Sequence, residues 1–226
     1  FKTCYARILD GKGRFVEAAL RYYDLSQTKI GLVTGEGKQV GEADLAAALT
    51  NAITCAILAA AGPQRSRVLT TLYKDERCAR LPVFSLMEKV YLERILRNDE
   101  VQAFSANLKP HQLGVESEDG MSIVSRAVIE HNLLSASKLY NNIMVTDLGQ
   151  LLGVDPRLAE ETAAKMIGEE RMTGKIDQVD GLIYFQDPKD ASAAMVQFDD
   201  QILDVCNQVN ALIDLMDKKG ILPEDA

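Results

Sequence analysis

A helix that is apolar on two sides cannot be covered by a single neighbour, and residues 122–140 read as such a helix. One stripe carries Val124, Ala127, Val128 and Leu134, and the other carries Ile129, Leu133, Ala136 and Tyr140. The segment has to lie between two bodies, so the 226-residue chain divides into a part before it and a part after it.

Before it, the pattern is a run of helices with short connections. Residues 1–9 and Phe15–Ser26 form a first pair, the second with Phe15, Ala18, Ala19, Tyr22 and Leu25 at helical spacing. Gly31, Gly35, Gly37 and Gly41 interrupt the run. Further helices are expected over 42–61, which is dense in alanine, and over 63–74, 83–97 and 100–108. This succession is that of an α-solenoid, although no positions recur at a fixed interval. The chain opens at Phe1 already in a helical pattern, so residues 1–119 are read as the C-terminal part of a longer array.

After it, residues 143–145 are a short strand candidate. Thr146 is placed to cap a short helix through Leu152, and Asp155 with Pro156 opens another through Arg171. Residues 175–179 and 182–185 flank Asp180-Gly181, a two-residue hairpin signal that pairs Val179 with Leu182 and Ile176 with Phe185. Ile176, Ile183 and Phe185 then share one face, and Asp177, Val179, Leu182 and Tyr184 the other. Helix, strand, two helices and hairpin make a winged helix over 120–187. Beyond it, Phe198, Ile202, Val205, Val209, Leu212 and Met216 alternate spacings of four and three, the seam of a bundle helix over 190–220, widened by Leu203, Cys206 and Ile213. Such a helix calls for cover from other chains. The fold class is therefore mainly α: a helical solenoid, a winged-helix subdomain with a small β-hairpin wing, and a long C-terminal helix.

Composition narrows the function. A net charge of −8 repels phosphate backbones, and residues 155–171 set Asp155, Glu160, Glu161, Glu169 and Glu170 against Arg157, Lys165 and Arg171, so the helix that would enter a DNA groove is acidic. No run of about 18 apolar residues suggests a membrane span. Cys4, Cys55, Cys78 and Cys206 form no C-x-x-C pair, which points to a reducing compartment. His111 and His131 are not spaced to share a metal; His131 is read as a structural histidine on an apolar face and His111 as solvent-exposed. Gly37-Lys38 imitates a phosphate loop, but Leu32 and Gln39 stand where glycine and a magnesium-binding hydroxyl belong. Arg65, Arg67, Lys74 and Arg77, balanced by Asp75 and Glu76, read as a solvated helix face. No catalytic, metal or cofactor site is expected.

The stretches 127–142 (AVIEHNLLSASKLYNN) and 170–185 (ERMTGKIDQVDGLIYF), with 1–7, 64–78 and 90–94, resemble the PCI-domain subunits of the signalosome, the cullin-deneddylating complex. The glycine-rich segment is longer than that pattern. The resemblance implies a non-catalytic scaffold in a complex whose isopeptidase lies in another subunit, acting on cullin-RING ubiquitin ligases in cytoplasm and nucleus. It implies other PCI-domain subunits as partners, with cullin-RING ligases as further contacts. Winged-helix modules would join edge to edge through Ile143, Met144, Val145, Lys175, Asp177, Val179, Leu182 and Tyr184. The seam residues Phe198, Ile202, Val205, Val209, Leu212 and Met216 would enter a shared helical bundle. The paralogous non-catalytic subunit of the proteasome lid is the first alternative, and a winged-helix nucleic-acid binder the second.

Overall fold

The computed structural model describes residues 2–29, 31, 39–114, 121–185, 203 and 205–210. Its helices begin with α1 (Lys2–Gly11), α2 (Phe15–Ser26), α3 (Glu42–Leu58), α4 (Pro63–Tyr73), α5 (Phe84–Tyr91) and α6 (Asn98–Ser105), with a 3-10 turn at Cys78–Arg80. Each helix from α1 to α4 packs on its successor, and α3 also meets α5. Their core gathers Phe15, Tyr22, Leu49, Ile53, Leu72, Met87 and Val90. Alanine density in α3 permits this: Ala52 and Ala56 are fully buried, and small side chains let α2 approach closely.

α7 (Ile123–Leu139) comes next, N-capped by Ser122, whose Oγ accepts from Ser125 N at 3.1 Å. Its first turn, Ile123 and Val124, belongs to the core of the helical stack. Leu133 and Ala136 belong to a second core, with Leu148, Ala159, Ala163, Met166, Ile183 and Phe185. The helix that the sequence required to serve two bodies does so.

The second core is the winged-helix module: β1 (Asn142–Met144), α8 (Val145–Leu152), α9 (Pro156–Gly168), β2 (Lys175–Asp177) and β3 (Leu182–Tyr184). The sheet is antiparallel in the order β1-β3-β2. α8 and α9 cross so tightly that a Cβ on Gly149 would stand 3.0 Å from Pro156 Cα and Val154 O, so any side chain there would push the turn back by a few tenths of an ångström.

Several boundaries differ from expectation for local reasons. The helix expected over 83–97 stops at Tyr91 because Glu93 takes φ 54°, with Arg94 N bonded to Lys89 O at 2.9 Å, a left-handed helix end in which glutamate holds the glycine position. α9 stops at Gly168 in the same way, with Glu170 at φ 56°. Thr146 lies inside α8, whose N-cap is Met144, and Asp155 is an N-cap without a side-chain bond. The hairpin pairs Ile176 with Ile183 and Asp177 with Leu182, not Ile176 with Phe185. The cause is Asp177, whose Oδ1 accepts from Val179 N at 3.0 Å and Asp180 N at 3.3 Å and widens the turn to residues 178–181. The register moves by two, so the expected faces survive.

Leu133 is fully buried at the centre of the module core. Leu133→Ala should cost about 2–5 kcal/mol, read as a fall in the urea midpoint. An unchanged midpoint would mean that α7 does not support that core.

Candidate assembly surfaces and the buried junction

The sheet separates the proposed edge residues into classes. Met144, Leu182 and Asp177 form one cross-strand row and Tyr184 and Lys175 lie in the next, all on one face. Ile143 and Val145 are half-buried against the module core instead. Leu182 and Tyr184 sit on the central strand, so they present a face and not an edge. Val179 stands at the wing tip, 95% exposed. Because Phe185 N bonds Asn141 O and Val145 N bonds Gly181 O, alternation turns the backbone polar groups of Asn142 and Met144 outward along the free edge of β1. Leu139, Tyr140 and Met144 leave a large apolar area beside that edge, being 67%, 43% and 50% exposed.

Of the seam, Val205 and Val209 are described; both are helical and exposed, as is Leu203. Phe198, Ile202, Leu212 and Met216 lie outside the described residues, as does most of the glycine-rich segment.

Between the two cores runs a set of buried polar side chains, of which pattern reading singled out His131 alone. Glu130, His131 and Asn132 are consecutive on α7 and 3–5% exposed. Together they take hold of backbone in two connections, Glu130 in the one after α3 and His131 and Asn132 in the one between α5 and α6. Glu130 accepts from Ala61 N at 3.1 Å, just past the end of α3. His131 Nε2 lies 2.9 Å from Arg94 O. Asn132 accepts from Leu96 N at 2.8 Å and donates to Leu96 O at 3.1 Å, as a strand partner would. Arg171, arriving from the module, donates to both Glu130 oxygens at 2.6 and 3.2 Å and to Ala61 O at 3.1 Å. The signal available in the sequence was the adjacent triplet Glu-His-Asn on a helix otherwise apolar on two sides.

Burial lowers the His131 pKa to about 4, with the Arg65 charge adding to the shift and the Arg94 carbonyl opposing it. The ring is neutral at physiological pH and donates to Arg94 O, a structural role as expected. His111 is exposed, with Nε2 3.2 Å from Asp10 Oδ1. Asp10 is a second buried hub: it takes Gln112 Nε2 at 2.9 Å and Lys109 Nζ at 3.4 Å. These bonds outweigh burial and hold its carboxyl below the usual range. The basic helix face needs correction. Arg67 and Lys74 are exposed, but Arg65 is 3% exposed, because position 65 shares the buried face of α4 with Val68, Leu69 and Leu72.

Chemistry is sparse. Burial raises the pKa of the Cys78 thiol to about 11, and it raises that of Cys55 further still, where Asp10 adds to the shift, so neither is a nucleophile at neutral pH. Among the described residues no group of three or more His, Cys, Asp or Glu is arranged to hold a metal ion, and no helix is long and apolar enough to cross a membrane.

Residues 84–187, which run from α5 through α7 and the winged-helix module, match the PCI domain family. Over nearly its whole length the chain resembles one PCI-domain protein in particular, COP9 signalosome complex subunit 4. It is 52% identical to that protein of Arabidopsis thaliana over 221 residues, covering 98% of this chain and 54% of the relative. The Drosophila melanogaster protein is 48% identical over 214 residues, 95% of this chain and 49% of the relative. That of Dictyostelium discoideum is 49% identical over 217 residues, 96% and 52%. The chain thus spans about half the length of the curated relatives it matches.

His131 makes a pH prediction. Unfolded histidine takes a proton near pH 6.5 and buried His131 only near 4, so unfolding becomes easier as pH falls through that window and is unaffected above it. The loss should approach ~3 kcal/mol at its limit. His131→Gln should flatten the dependence of urea stability on pH between 6.5 and 4. Equal slopes in both proteins would contradict the assignment.

Proposed function

We propose that this chain is part of a non-catalytic scaffold subunit of a signalosome, joining PCI-domain neighbours in a complex that removes a ubiquitin-like modifier from cullins. The observation that carries the reading is the pairing of the PCI-domain architecture with exposed apolar residues at two separate places. One is the β1 edge with Leu139, Tyr140 and Met144; the other is the helical stretch with Leu203, Val205 and Val209. The similarity to COP9 signalosome complex subunit 4 supports the choice of complex.

On this reading the isopeptidase belongs to another subunit, and cullin-RING ligases are reached through the assembly. The edge of β1 takes part in joining winged-helix modules, while the seam from Phe198 to Met216 enters a bundle with partner helices. On the same reading the protein acts in both cytoplasm and nucleus. Nucleic acid fits poorly: Glu160 and Glu161 lie on α9, Glu169 and Glu170 follow it, and the helix would meet phosphate with like charge.

The test uses the full-length protein with Val205→Glu and Val209→Glu. Both side chains are exposed, at 58% and 50%, so the fold should hold. Recovery of co-captured PCI-domain subunits and of cullin deneddylase activity should fall at least tenfold. Normal recovery of both would remove the bundle role. Co-purification with proteasomal ATPases would select the paralogous lid instead.

A further inference from the structure

Glu130 is bonded to one guanidinium group and feels the charge of a second, with which it makes no ion pair. Arg171 reaches it from the winged-helix module. Arg65 belongs to the first turn of α4, which begins immediately after Ala61 and Gly62, and Ala61 N is itself bonded to Glu130. Arg65 is 3% exposed, and its Nε and Nη1 have no hydrogen-bond partner among the described residues.

A buried guanidinium with two unpartnered nitrogens is costly, and a neighbouring carboxylate that became free would lower that cost. We propose that Glu130, Arg171 and Arg65 form a partner-exchange latch, in which Arg171 locks the winged-helix module to the helical stack and Arg65 takes over the Glu130 carboxylate when Arg171 withdraws.

The physical reason is the cost of the open state. Breaking a buried ion pair ordinarily strands a charge. Here the stranded carboxylate would have a neighbour already desolvated and close enough for its charge to be felt: burial pushes the Arg65 guanidinium down to about 10, and Glu130 opposes the shift. The other groups at the junction do not compete. His131 is neutral, and Glu169 holds the outer side of Arg171 at 2.7 Å. Arg171 is the movable member, because it follows α9 and the left-handed Glu170, whereas Arg65 is fixed in a helix. Release would loosen the module's hold on Ala61 and Glu130 while Leu133 and Ala136 stay packed in its core, and neighbouring subunits could then set how tightly it is held during assembly. The latch needs only these residues, so it stands or falls apart from the identity of the complex.

The test is a double-mutant cycle in the full-length protein, read from hydrogen exchange at Met166 and Ile183, whose amides report opening of the module core. Arg65→Met alone should leave exchange unchanged or slow it, since it removes an unpartnered charge. Arg171→Met alone should speed exchange only modestly, because Glu130 passes to Arg65. The double substitution strands Glu130 and should raise the opening constant at least tenfold beyond the product of the single effects. Replacing Glu130 with Leu in all three backgrounds should abolish that excess. Should the double variant fail to fold, adding Glu130→Leu restores it. Single effects that simply multiply, or a double variant that Glu130→Leu does not rescue, would overturn the latch.

Discussion

The fold depends on a requirement that no hydrophobic pattern states: the backbone groups left over where helices end inside a protein must find partners. The connections after α3 and α5 are drawn into the junction, where water does not reach Ala61 or Leu96. α7 supplies the partners. Consecutive residues on a helix point about 100° apart, so from one turn Glu130 addresses the connection after α3 while His131 and Asn132 address the one after α5. An unmet buried group costs roughly 1–3 kcal/mol. Removing this short run would leave several at once, and the helical stack and the winged helix would lose their common reference. Arg171 closes the arrangement from the module side by bonding the same carboxylate and the same Ala61 that Glu130 bonds.

Much of this organisation was legible because it rests on periodicity. Phe15–Ser26 appears with the bounds its apolar spacing indicates, and α7 serves two cores as expected, though the division runs along its length: Ile123, Val124 and Val128 meet the helical stack, Leu133, Leu134 and Ala136 meet the module, and Tyr140 is exposed. What escaped was of another kind. Glu93 and Glu170 end helices in a conformation that glycine marks and glutamate does not. Asp180-Gly181 signals a tight turn, but the Asp177 carboxylate captures the two amides that widen it. Arg65 looked solvated because charge is ordinarily outside. Its burial follows from the phase of α4 against α7, which depends on residues 65 positions away.

The candidate surfaces were partly legible for the same reason. Alternation placed Asp177, Leu182 and Tyr184 on one face correctly, yet could not show that β3 is the central strand and β1 has a free edge, because strand order is a long-range property. The outcome is a molecule whose internal polar groups are closely tied together while its apolar surplus sits at the margins, at Leu139, Tyr140 and Met144 and again at Leu203, Val205 and Val209. A rigid interior with adhesive margins suits a part whose work is to hold others in place.

Hydrogen exchange of the full-length protein, free and within its isolated complex, tests this most directly. The joining account predicts that amides of Asn142 and Met144 and of residues 205–210 exchange at least tenfold more slowly in the complex, while those lining the buried junction change little. Equal exchange at both margins in the two states would contradict it.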